Sequence, residues 1–194
     1  MELEKLIRER RTVQRFEDRP VPLELVEELL ETAVWVPNHK LTQPWRFVVV
    51  QGEGRRRLAE IAGQGALRRE SDPEKAREMS QKRFNKFAKV PLLLAVVMKE
   101  NEDPVVREED YASACCIIHN FSLLAWQRGI GLVWETYPLL KSQEFRDALG
   151  VAPDEKIVGS LHMGYPAQVP EARPRIPAER LITVIDGKKE RVNA

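Results

Sequence analysis

The chain has 194 residues, near the upper size of one ordinary domain and enough to bury a substantial core. With 43% hydrophobic and 31% charged residues, its composition is that of a globular protein and not a disordered one. Its 31 Lys and Arg against 30 Asp and Glu leave a net charge of +1, which excludes a strong overall field for nucleic acid or an anionic membrane; any anionic partner must be held by a local cluster.

Residues 2–10 carry Leu3, Leu6 and Ile7 at helical spacing, followed by a polar stretch from Arg10 to Asp18. Pro22 suits a first helical turn, where its missing N–H costs nothing. From there Leu25, Val26, Leu29, Leu30, Ala33 and Val34 form one apolar face, and the helix is expected to stop before Pro37. The joint from Trp35 to Trp45 then places Asn38, His39, Lys40, Thr42 and Gln43 between two prolines, a concentration of hydrogen-bonding groups on stiff backbone that suits a polar planar ligand. Phe47 to Val50 reads as a buried strand bounded by Gly52 and Gly54.

Residues 55–88 read as two solvent-facing helices with a break around Ser71-Asp72-Pro73, and Leu92 to Met98 as a second buried strand. Tyr111 to Gln127 is apolar around nearly its whole circumference, which predicts a helix buried on all sides, centrally or in an oligomer interface. Leu132 to Thr136 and Ile157 to Met163 are further strands, separated by a short helix closing at Phe145 to Leu149. The stretch from Val169 to Pro177 is too rich in proline for helix and too polar for core; Leu181 to Ile185 is a last strand-like run, positioned to pair away from its own domain. The whole predicts one α+β domain over residues 1–194, with helices and about five strands.

No apolar run is long enough to span a bilayer, and the start Met1-Glu2-Leu3-Glu4-Lys5 lacks the features of a signal peptide. The two cysteines, Cys115 and Cys116, are adjacent and cannot close a stabilising loop, so the expected location is a reducing cytoplasm. Cys115 and His119 lie four apart, but two ligands do not make a zinc site and no metal is expected. There is no Gly-x-Gly-x-x-Gly after a strand, no P-loop and no Gly-x-Ser-x-Gly. Lys82 to Lys89 is the most basic run; the interleaved Arg and Glu of 55–70 are better read as a solvated helix face, and neither nucleic acid nor membrane is an expected partner.

Two arginine clusters remain. Arg10-Arg11-Thr12, with Arg15 beyond, offers guanidiniums plus a hydroxyl, which suits a phosphate dianion. Arg173-Pro174-Arg175 alternates so that both guanidiniums face one side of an extended segment, and the two clusters could converge on one phosphate. Trp134, in the strand Gly131 to Thr136, is most simply a core aromatic.

In this order and at these spacings, the segments resemble the FMN-dependent nitroreductase family over essentially the whole chain. Arg10-Arg11-Thr12 is similar to the family's Arg-Arg-Ser start, and Pro37 through Trp45 to its Pro-Ser-…-Gln-Pro-Trp signature. Gly129 to Trp134 resembles its Gly-x-Gly-…-Trp segment, and Met163-Gly164-Tyr165-Pro166 with Arg173 and Arg175 its C-terminal Gly-x-Pro and basic arm. Pro37-Asn38-His39 is most like the Pro-Asp-His of the compact bacterial branch. Two positions depart from the common pattern: Leu41 stands where many members have Asn, and Gln14 where many carry a cation.

The resemblance implies a central, mainly antiparallel sheet flanked by helices, in a homodimer with FMN at the subunit interface and a C-terminal arm exchanged between subunits. It implies that Arg10, Arg11, Thr12, Arg173 and Arg175 hold the ribityl phosphate. Pro37, Asn38, His39, Leu41 and Gln43 of the neighbouring subunit would line the isoalloxazine, and Trp134, Glu135 and Thr136 would lie along its other edge through backbone groups. It further implies NADH or NADPH as reductant, nitroaromatic or quinone-type acceptors served in ping-pong order, and no side-chain nucleophile. A flavin-binding or redox-sensing protein with little turnover, or a specialised flavin reaction of the same family, are the alternatives.

Overall fold

Leu92 to Met98 is apolar at every position, and in the computed structural model, which describes residues 2–185, it forms strand β2 (Leu92–Lys99), buried on both faces. β2 lies inside a four-stranded sheet with β1 (Trp45–Val50), β3 (Gly131–Glu135) and β4 (Glu155–Gly164) in the order β1-β2-β4-β3. Every pairing is antiparallel, with Trp45 opposite Met98, Leu92 opposite Met163 and Leu132 opposite Met163.

Because successive side chains of a strand point to opposite faces, β2 feeds two cores. Leu92, Leu94, Val96 and Met98 pack with Val26, Leu29 and Ala33 of α2 (Leu23–Ala33) and with Ile117, Ile118 and Phe121 of α5 (Pro104–Gln127). Leu93, Ala95 and Val97 pack on the other face. Their neighbours there are Leu58 and Ala62 of α3 (Gly52–Leu67), Phe87 of α4 (Pro73–Ala88) and Phe145 of α6 (Gln143–Ala148). Each large side chain fully buried in these layers contributes about 1.5–3 kcal/mol, which explains how an antiparallel sheet comes to be apolar on both sides. The first helix, α1 (Leu3–Glu9), sits outside them and buries Leu6.

The predicted break between α3 and α4 is present, and Asp72 caps α4 by accepting from the backbone N–H groups of Glu74 and Lys75, with Pro73 in the first turn. One boundary is corrected. The long apolar helix begins seven residues earlier than Tyr111, since Asp103 accepts from Val105 N–H and Pro104 occupies the first turn; the charged run Arg107-Glu108-Glu109 hides those turns from a reading by hydrophobicity. Nor is this helix buried all round within one chain: Ala112, Cys116 and His119 stand exposed along one flank. Leu181 to Ile185 forms no strand of the four-stranded sheet, and Leu181, Ile182, Val184 and Ile185 are exposed, since neither hydrophobic core extends to them. No helix among the described residues is long and apolar enough to cross a membrane.

Candidate functional site

The polar stretch after α1 does not wander. Its backbone runs beside β3, with Val13 N–H donating to Leu132 C=O at 3.0 Å and Thr12 bridged to Leu132 in parallel. It then crosses the exit of β4, where Glu17 N–H reaches Tyr165 C=O at 2.8 Å and Ala167 N–H reaches Arg15 C=O at 3.0 Å. Beyond Pro166 the proline-rich arm returns over the same region. The result is a cavity of about 1080 Å³ whose walls include Arg10, Arg11, Thr12, Arg173 and Arg175, residues drawn from both ends of the chain.

Its electrostatics are one-sided. Arg8 and Arg15 also line it, and Glu171 is the single carboxylate among its lining residues. Burial, then the positive charges of Arg11 and Arg175, hold the Arg10 guanidinium below its usual range. Arg11 is braced by donating to the carbonyls of Arg8 and Arg10, the latter at 2.9 Å, and Arg15 by donating to Gln168 Oε1 at 3.2 Å. Like charges collected around a polar cavity are relieved by an anion, and Arg forks suit phosphate.

Two glycines make this arrangement possible. A Cβ on Gly131 would meet Val13 Cγ2 at 2.4 Å and Val13 Cβ at 2.7 Å, and one on Gly164 would meet Pro91 Cγ at 2.6 Å. Gly131→Ala is therefore expected to lift the Arg10–Val13 segment off β3, loosening anion binding and costing about 1–3 kcal/mol of stability through overpacking. A chemical denaturation midpoint identical to wild type would contradict this.

The Trp35–Trp45 joint lies elsewhere. None of Pro37, Asn38, His39, Leu41 and Gln43 lines the arginine cavity; the loop is bound to the N-terminal half of α5 instead. His39 Nδ1 is 2.7 Å from Glu109 Oε2, Asn38 Nδ2 donates to Thr42 Oγ1 at 3.0 Å, and Thr42 Oγ1 donates to Asp110. Ser113 Oγ donates to Pro37 C=O at 2.9 Å. Most of the donors that the sequence offers to a ligand are thus committed to holding the loop. The backbone they hold is strained, with φ at 58° for Lys40, 49° for Leu41 and 43° for Gln43, a conformation costing about 1–3 kcal/mol at each non-glycine residue. Leu41 is 74% exposed and Trp35 84% exposed at this surface.

At the end of β3, Trp134 is not a core aromatic. It is 38% exposed and lies against Gly159 of β4, where a Cβ would meet its Nε1 at 2.1 Å; the bare glycine leaves the indole a shelf on the sheet with one side open. Glu135 is committed to an ion pair with Lys86 and stands opposite Ser160 in the sheet, and Thr136 is exposed.

Beneath this end the structure adds a polar group that the sequence reading missed. Ser160 and His162 are fully buried on the α4 side of β4, Tyr137 Oη is 3.1 Å from His162 Nε2, and Phe87 meets the His162 ring edge-on at 4.9 Å. Burial, then the charge of Lys86, holds the imidazole down to about 3. Burial, then the charge of Glu135, pushes the Tyr137 phenol well up. Two polar residues alternating inside an apolar strand were the available signal.

Fold and site together define an α+β protein with helices on both sheet faces, an anion-binding cavity where β4 exits, and a strained polar loop carried on a separate helix. The family model described as the Nitroreductase family matches residues 7–165, and the chain belongs to that family. A Bacillus subtilis (strain 168) protein, YfhC, named provisionally as an NAD(P)H nitroreductase, is 37% identical over 176 residues, covering 90% of each chain. The structure of a nitroreductase-like family protein from Bacillus cereus superposes with a TM-score of 0.85 at 35% identity, covering 96% of this chain and 97% of that one. That of oxidized iodotyrosine deiodinase bound to FMN and 3-iodo-L-tyrosine superposes with a TM-score of 0.69 at 26% identity, covering 91% and 96%.

Proposed function

We propose that this nitroreductase-family protein, an NAD(P)H-dependent flavin oxidoreductase with FMN as cofactor, passes electrons in ping-pong order to nitroaromatic or quinone-type acceptors. The carrying observation is the convergence of Arg10, Arg11, Thr12, Arg173 and Arg175 on one cavity with a single carboxylate in its wall. Those residues would hold the ribityl phosphate, Arg10 and Arg175 supplying charge and Thr12 a hydroxyl. Bound FMN supplies the hydride acceptor and donor, so the chain needs no nucleophile of its own.

The same reading makes the working unit a homodimer. Pro37, Asn38, His39, Leu41 and Gln43 do not reach the cavity of their own chain, so a second copy supplies them as the wall over the flavin. The exposed flank of α5 beside that loop, and the uncovered apolar residues from Leu181 to Ile185, are the surfaces such a copy would cover. Trp134 and the backbone of Glu135 and Thr136 border the ring from the sheet side, and the C-terminal arm is exchanged.

An absorption spectrum tests the cofactor, with bands expected in the near-ultraviolet and blue at one FMN per protomer. Steady-state oxidation of NADH and NADPH with a nitroaromatic or quinone then tests turnover. Colourless protein that does not respond to added FMN overturns the reading; flavin-loaded protein with negligible turnover favours a redox sensor.

A further inference from the structure

Lys40, Leu41 and Gln43 hold a backbone that L side chains resist, around a Thr42 in ordinary helical conformation. Leu41 is mostly exposed, so its own packing does not set that geometry. What sets it comes from α5. Asp110 is 2% exposed and accepts a hydrogen bond from the Thr42 hydroxyl; among the described residues no Lys, Arg or His forms an ion pair with it. Asn38 links the rest: its Oδ1 accepts the Gln43 backbone N–H at 2.8 Å while its Nδ2 donates to Thr42.

A buried carboxylate with no cation beside it is unfavourable unless its hydrogen bonds repay the lost hydration. Here the bond runs to the one hydroxyl between two left-handed residues, Leu41 and Gln43. We propose that Asp110 is a positioning residue for the flavin-facing loop: acting through Thr42, its carboxylate holds the left-handed turn at Lys40–Gln43 and so sets where Leu41 and Gln43 meet the acceptor. The inference rests on the reading of this loop as a wall of the flavin site. Neither hydrophobic core hangs on Thr42, so the effect of the bond is local.

The test compares Thr42→Val, Thr42→Ser, Asp110→Ala and the double variant Thr42→Val/Asp110→Ala as FMN-loaded protein. Thr42→Val is expected to lower kcat/KM for a nitroaromatic acceptor about tenfold, chiefly through KM. Thr42→Ser, which keeps the hydroxyl, should stay within about twofold of wild type, and the double variant should be no worse than either single one. Flavin content is expected to fall less than kcat/KM does, because the phosphate is held by the separate arginine cavity. Hydrogen exchange read by mass spectrometry over residues 37–43 supplies a readout independent of activity: it should quicken in Thr42→Val and Asp110→Ala and not in Thr42→Ser.

Wild-type kcat/KM in Thr42→Val overturns the proposal, whether or not exchange quickens. So does a loss that Thr42→Ser shares equally. If wild-type protein binds no flavin, the functional reading fails by itself, and unchanged exchange in Asp110→Ala still overturns the positioning role.

Discussion

Arg10→Ala is expected to weaken FMN retention by about 1.5–3 kcal/mol, roughly 10- to 150-fold in Kd, the amount typical of losing a charge-assisted hydrogen bond. Arg10 is the informative position because it is half-buried and already crowded by Arg11 and Arg175. In the free protein that crowding opposes the charge on Arg10, and an incoming phosphate reverses the balance. Arg11 is a poorer test, since its guanidinium also braces the carbonyls of Arg8 and Arg10 and its removal would disturb the local backbone. Titration of apoprotein with FMN, followed by quenching of flavin fluorescence, measures the change directly. The affinity should also fall with ionic strength in the wild type, and less steeply in the variant. Equal Kd values for the two proteins would remove the arginine cavity from the phosphate site.

Acid should destabilise the fold through His162. Its folded pKa, about 3, lies below the ordinary 6.5, so between these values the unfolded chain binds a proton that the folded chain refuses. Stability from this group is therefore complete above the unfolded pKa and is lost as pH falls through the window from 6.5 towards 3. The slope approaches about 1.4 kcal/mol per pH unit and the loss accumulates to the order of 5 kcal/mol. The cause is geometric. A charged ring would carry two N–H groups, and among the described residues Tyr137 Oη is 3.1 Å from Nε2 while Nδ1 has no hydrogen-bond partner. His162→Gln keeps an acceptor for the tyrosine but has no titrating ring. Its urea midpoint should fall less steeply with pH across that window; parallel curves for the two proteins would refute the assignment.

Most of the secondary structure was legible because it is written in local patterns. The unbroken apolar run of β2 announces a strand covered on both faces, and Asp72-Pro73 announces a helix start, since each depends only on neighbouring residues. Where charged residues overlay a helix, as in Arg107-Glu108-Glu109, the pattern fails and α5 is read too short. The arginine clusters were visible as clusters, but their meeting depends on Gly131 and Gly164 letting one segment lie flat against β3 and β4.

The loop that joins α2 to β1 shows the division most clearly. By itself the sequence determined that this segment is stiff, polar and bracketed by Pro37 and Pro44, and that the chain carries the ordered motifs of its family. Only the tertiary structure decided which polar groups remain available. Asn38, His39 and Thr42 look like donors for a ligand until α5 brings Ser113, Glu109 and Asp110 within hydrogen-bonding distance and commits them to the loop itself. Whether a donor is free depends on what lies about 3 Å away, and that distance is set by packing between residues some seventy positions apart.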